Sequence, residues 1–340
     1  MPIHDLGYRS WEGEYEPRGW RWLVFTRVGI GLAMRSRWLK RLVVIAFLQS
    51  IFAIASLYAL ELAMARVFAG RPGQRAQTIP LVLASMQQGM ALGLWSQDDV
   101  TDIAKSLSSD DPKAEQTARY QIWRIWMLGM IRSPQALLMV IMLGILTPSL
   151  ISFDIRSRAF LLYFSRPITP YEYVFGKTLV VWAFILAITA GPGLVTYVAS
   201  LFLSPSLGSV LYTWDLPIRI VIASLCVAIP TTALALCLSA STTESRRAGF
   251  AWFSLWAISM TSYLVLTRVT ARATPGISES EAANQWVFLS LFHTLGDVEK
   301  LIFGVGRPFS DVMGSLAILT LLTVGCYWII LRRVMAPMRV

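Results

Sequence analysis

Along this chain, long apolar runs alternate with short charged or proline-punctuated segments. Six runs approach or exceed the roughly 20 residues that a helix needs to cross a bilayer. They are Leu42–Met64, Ala136–Phe153, Thr178–Leu203, Ile218–Ser241, Phe250–Thr267 and Val312–Leu331. The pattern predicts an all-α polytopic membrane protein with six transmembrane helices. Residues 17–41 interleave Trp, Leu, Phe and Val with arginines, which predicts an N-terminal helix lying in the membrane interface. Ile79–Trp95 is apolar but short, carries Pro80 and has Gln87-Gln88 at its middle; it predicts a loop helix on the outer surface, not a seventh span. Residues 96–126 read as two polar helices that meet at Asp110-Asp111-Pro112. Residues 285–309 read as two short apolar pieces broken at Gly296 and at Gly304-Val305-Gly306, predicting outer half-helices between spans five and six.

Charge sets the orientation. The N-terminal forty residues, residues 154–177, residues 242–249 and the C-terminal end are rich in Lys and Arg, whereas the alternate segments are balanced. Basic residues mark cytoplasmic loops, so both termini are expected in the cytoplasm of a plasma (inner) membrane protein. The expected organisation is a tail with the interfacial helix (1–41), a six-span domain (42–331) and a cytoplasmic tail (332–340). Within the six-span domain lie an outer helical loop (65–135), a cytoplasmic coupling loop (154–177) and an outer loop (268–311). The first apolar run follows about forty residues of polar and aromatic sequence and reads as a retained span, with no cleavable signal ahead of it.

Composition agrees. Hydrophobic residues make up 55% of the 340 and charged residues 15%, against about 25% charged in a soluble domain; mean hydropathy is +0.57. The net charge of +10 belongs to the cytoplasmic face, so lipid and no nucleic acid is the expected partner of that charge. Cys226, Cys237 and Cys326 all lie in apolar runs. They give no disulfide framework and read as packing residues, with a soft-metal relay as the alternative.

Gly176-Lys177-Thr178 looks like the tail of a phosphate-binding loop. Such a loop needs a glycine five residues earlier, where its backbone turns to cradle phosphate; that position is Tyr171, and a membrane span follows. No nucleotide site is expected here, and Lys177 reads as the cytoplasmic end of the third span. The chain is expected to bind no cofactor or metal and to have no catalytic residues, and any ATP and Mg belong to a partner. His4 and His293 are isolated in the sequence. The predicted spans hold almost no ionisable residues; Glu61 and Arg219 lie near outer ends, and Glu61 is expected to reach the outer surface. That scarcity argues against ion-coupled transport. Pro148, Gly191, Pro192, Gly193 and Pro230 interrupt spans and are candidate helix hinges or packing breaks.

The segment 154–177 carries the most information. Asp154, Arg156 and Arg158 end the second span, 159–164 form an apolar turn of helix, and Ser165-Arg166-Pro167 break it. Pro170 can start a new helix through Tyr171, Glu172 and Tyr173 into the third span. The residues alone leave two readings open, a docking tip for a soluble protein and a plain connection. Asp154, Arg158, Leu161, Ser165-Arg166-Pro167-Ile168-Thr169, Tyr173 and Gly176-Lys177 make the segment resemble the intracellular loop between spans two and three of type-2 permeases of ABC transporters. The opening residues are also similar to the start of some bacterial permeases of this group.

The resemblance implies a permease subunit, not an enzyme, driven by a cytoplasmic ABC ATPase docked on Arg158, Ser165, Arg166, Pro167, Ile168, Thr169, Glu172 and Tyr173. It also implies a second permease copy, identical or related, and export as the direction. The long first outer loop departs from the small members of that group. The competing functions are a polytopic membrane enzyme acting on lipids and a non-transporting assembly subunit.

Overall fold

The computed structural model describes residues 20–69, 79–80, 82–84, 97–108, 112–159, 163, 168–204, 209–274, 276, 278–306 and 309–335. Among these the chain is helical, with no strand, and six helices are long and apolar enough to cross a membrane. It is an all-α polytopic membrane protein. Helices α1 (Arg21–Ala33) and α2 (Arg37–Ala69) meet at a tight turn. α3 (Gln97–Ser108) precedes α4 (Pro112–Pro134), a π-helical turn (Gln135–Met139), α5 (Val140–Leu146) and α6 (Pro148–Arg156). α7 (Pro170–Ile188) and α8 (Ala190–Leu203) form one span, and the short α9 (Ser209–Thr213) leads to α10 (Leu216–Ala240) and α11 (Ser245–Ala273). α12 (Glu279–Trp286), α13 (Leu291–Phe303) and α14 (Phe309–Met335) complete the chain.

The second predicted span needs correction. Instead of starting at Ala136, the helical run extends from Ala114 to Arg156, over 43 residues, with a π turn and a bend on the way. At about 1.5 Å per residue it is roughly 65 Å long, about twice the apolar thickness of a bilayer. The expected second polar helix is the upper part of this rod. Its pattern misled because Arg119, Arg124 and Arg132 interrupt an apolar face that is buried: Ile122, Trp123, Ile125, Met127, Leu128 and Ile131 are all inside. α3 is amphipathic and lays Val100, Ile103 and Leu107 against the same core. Of the Ile79–Trp95 segment, residues 79–80 and 82–84 are helical with Val82 buried; the rest lies outside the described residues.

Two cores stack along the bundle. One occupies the end that holds α1 and is built on α6, α7, α10 and α14. The other, at the far end, joins α2, α3, α4, α8 and the start of α10. α10 runs through both and is the most enclosed span. Cys237 on α10 and Cys326 on α14 are free, buried cysteines that interact across the two helices.

Charged groups anchor the far end. Glu61, expected at the outer surface, is 2% exposed. It pairs with Arg119 of α4 and accepts a hydrogen bond from Trp123 Nε1 at 2.5 Å. Tyr120 donates to Asp215 (2.7 Å), which also holds Arg219 at 2.6 Å. Arg219 in turn donates to the carbonyl of Ile302, in the last turn of α13. A cation suits a helix C-terminus, where unpaired carbonyls gather negative charge.

The segment between α11 and α14 folds back into the bundle. Trp286 Nε1 donates to Thr270 Oγ1 (2.8 Å), near the end of α11. Five residues on, the backbone N–H of Leu291 donates to Ser259 Oγ (3.0 Å), midway along α11. The chain then returns along α13 and stops at Gly304, whose φ of 67° is the left-handed cap that glycine accommodates. The half-helices are therefore split at Ser290, which is extended, and not at Gly296, which lies inside α13. Gly296 serves close packing, as described below.

Candidate functional site

The loop after α6 leaves and re-enters the bundle at one carboxylate. Asp154 sits in the last turn of α6, where the helix already presents unpaired carbonyls, so an acid there needs compensation. It is buried and receives two partners from the first turns of α7: the Tyr173 hydroxyl at 2.6 Å and the Lys177 ammonium at 2.9 Å. Tyr173 and Lys177 are four apart on one helical face, and Lys177 also lies over the Tyr173 ring, 5.4 Å from its centre. The two ends of the loop are thereby fixed to each other. Lys177, which the sequence marks as the end of the third span, neutralises Asp154.

α1 is seated on the same stem. Gly176 removes the side chain where α1 crosses: a Cβ there would come within 2.7 Å of Phe25 Cβ and 2.8 Å of the Trp22 carbonyl. Gly29 of α1 is likewise pressed against Val180. Thr26 Oγ1 donates to the Gly176 carbonyl at 3.2 Å. Phe25 meets both Tyr163 and Tyr173 edge-on, with centroids 5.4 and 5.5 Å away. Thr178 closes the set by bonding the Val174 carbonyl (2.9 Å) and the Tyr327 hydroxyl of α14 (3.2 Å). Each residue of Gly176-Lys177-Thr178 thus has a partner within the bundle.

The predicted docking residues fall into four groups. Ser165, Arg166 and Pro167 lie outside the described residues. Arg158 is exposed, with a positive φ of 54° that turns the chain out of α6, and Ile168 is half-buried. Thr169 and Glu172 form a capping box on α7: Glu172 N–H donates to Thr169 Oγ1 at 3.2 Å, and Thr169 N–H donates to Glu172 Oε2 at 2.8 Å. Tyr173 is fully buried, so it supports the loop from beneath and does not face outward. Phe25 and Thr26 complete the site and were not anticipated. Their signal was available in Gly29 and Gly176, small residues that permit close helix contact.

At two of the candidate hinges, Pro148 and Pro192, a neighbouring helix hydrogen-bonds to the backbone beside the break. α6 starts at Pro148 after a bend at Thr147, and its backbone N–H groups at Ile151 and Ser152 donate to Ser239 Oγ of α10, each at 3.2 Å. Ser239 itself donates to the Pro148 carbonyl at 3.0 Å. The α7–α8 break falls at Thr189; Ser50 of α2 donates to the Pro192 carbonyl (3.3 Å), while Gly191 and Gly193 face Phe47 and Ile220. Pro230 lies inside α10 without ending it.

The sequence showed almost no charge in the spans. The folded chain buries more: Glu61 with Arg119, Asp154 with Lys177, and Arg132 beside Asp297 and Glu299. The scarcity of span charges therefore carries no weight about the energy source. A family model described as ABC-2 family transporter protein matches residues 30–333, which takes in all six spans and the loop. No curated protein matches the chain.

Proposed function

The chain belongs to the ABC-2 family of transporter proteins, and from that premise we propose that a separate cytoplasmic ATPase, docked on the 154–177 loop, moves it. The α1 end is then the cytoplasmic face, with both termini on that side of the plasma membrane. ATP and Mg are bound by the partner. A second permease copy completes the transport path, and export is the direction.

The observation that supports this role best is the stem of the loop. A handle transmits force only if its base is rigid, and here Asp154, Tyr173 and Lys177 join the two helices that carry it. α1 is fixed to the same point through Phe25 and Thr26. The ATPase meets the loop through Arg158, Arg166 and Ile168, while Thr169 and Glu172 keep α7 intact behind it. Closure of an ATPase pair around nucleotide would bias the spans between two arrangements. The test is reversal of a tip charge. Arg166→Glu is expected to abolish co-purification with the phosphate-loop ATPase and leave the chain folded. Retained assembly and undiminished ATP turnover in the complex would show that the loop is a plain connection.

A further inference from the structure

Where the two cores meet lies a charge that the coupling loop does not explain. Arg132, near the end of α4, is 1% exposed. Its guanidinium lies across Gly296 of α13, where a Cβ would overlap it. It also sits 4.7 Å from the centre of the Phe292 ring, and it interacts electrostatically with Glu299 and Asp297. Asp297 accepts from Ser315 Oγ of α14 at 3.1 Å. Among the described residues, Nε and Nη1 of Arg132 have no hydrogen-bond partner. Charge and stacking therefore hold this contact with its hydrogen bonding incomplete, which leaves it poised to break.

Its position makes that consequential. α13 is the half-helix that begins midway along α11, and its irregular start at Ser290 lies deep in the bundle. Irregular backbone at that depth requires protein cover. Three residues beyond Arg132 the rod passes into the π-helical turn Gln135–Met139. A π turn holds one residue more than an α turn. Relaxing it would rotate α4 against α5 and α6 by about 100°, one residue's worth of helix. That rotation would carry Arg132 off Gly296. α6 bears the loop stem at the other end of the same rod.

We infer that Arg132 is a positioning residue for transport: it latches the half-helix Leu291–Phe303 where the two cores meet, and movement of the long helix through its π turn releases it. The release step rests on the proposed coupling to an ATPase; the latch does not. The test places one cysteine, Thr294→Cys, in a chain with Cys226, Cys237 and Cys326 changed to alanine, assembled with its ATPase in lipid vesicles. A charged maleimide is then added from the far side. Thr294 is buried, so labelling is expected to be slow.

Arg132→Met should speed labelling at least about tenfold, as should Gly296→Ala, which displaces the guanidinium and keeps its charge. Ile131→Ala, a cavity next door on the same helix, should leave labelling slow. Each variant is first shown to be folded by its size-exclusion profile and thermal midpoint. Wild-type rates in folded Arg132→Met and Gly296→Ala would overturn the latch, as would equal acceleration by Ile131→Ala. ATP with vanadate should speed labelling without mutation. If it does not, while Arg132→Met does, the latch stands and the ATP-driven motion fails.

Discussion

Asp154 is where a single residue matters most. It ends one span, faces the start of the next and is buried between Tyr173 and Lys177. Removing one member of a buried ion pair strands its partner, at a cost of about 3 kcal/mol or more, whereas removing both charges with matched apolar groups is often neutral. Asp154→Leu is therefore expected to lower the thermal midpoint in lipid nanodiscs sharply, and Asp154→Leu with Lys177→Met to restore most of it. Equal losses in the two would mean the pair contributes packing, not charge compensation. Gly176 gives a second test at this scale. Gly176→Ala forces Phe25 and the Trp22 carbonyl away and should destabilise the protein by about 1–3 kcal/mol, the range for overpacking, with α1 becoming sensitive to protease. The spacing of Tyr173, Gly176 and Lys177 was visible in the sequence, yet their roles were not. A lysine at a span end has two sinks, headgroups and a buried acid, and only the folded geometry of α6 against α7 distinguishes them.

At the level of elements, most helices could be read from the chain and one could not. Runs of unmixed apolar residues located α2, α7–α8, α10, α11 and α14, though the helices extend up to about eight residues beyond the runs. The long rod failed because arginines interrupt the apolar residues of its far half, and these find partners in Glu61 and beside Glu299. Hydropathy averages such a helix into a loop. The half-helix boundary failed for a related reason: glycine signals a break, but Gly296 is there to admit the Arg132 side chain, while the extended residue is Ser290. Capping was legible in principle. Ser278 and Glu281 form a capping box at the start of α12, and the hydrogen bonds from Ser278 hold the Glu281 carboxyl below its ordinary range. A depressed carboxyl supports its helix fully above the ordinary range and loses that support as pH falls through the lowered value. In carboxyl-labelled protein, Glu281 should titrate at a lower pH than in Ser278→Ala. Coincident titrations would remove the cap from the description of α12.

Across the whole molecule, two cores stacked along the bundle are bridged by α10 and the long rod. The rod joins the loop stem at one end to Arg119 and Tyr120 at the other, with Arg132 between them, so motion imposed at the α1 end has a direct path to the far end. The six-span architecture and the family were already present in the hydropathy and in Ser165-Arg166-Pro167-Ile168-Thr169. The seventy-residue departure between the first two spans was unexplained by sequence. Its latter half proves to be span two continued, packed on α2 through Glu61. That extension predicts that Glu61→Gln, which keeps the shape but drops the charge facing Arg119, weakens the far end selectively. Amide exchange should rise in α3 and α4 by about tenfold or more, with the loop stem unchanged.

The decisive measurement is a cross-link from the loop tip in native membranes, using Ile168→Cys in a chain whose own three cysteines are replaced. The proposed coupling predicts one dominant adduct, a cytoplasmic subunit carrying a phosphate-binding loop, whose yield changes with ATP and vanadate and vanishes in Arg166→Glu. An adduct that lacks such a subunit, or one indifferent to nucleotide and to Arg166→Glu, would contradict it.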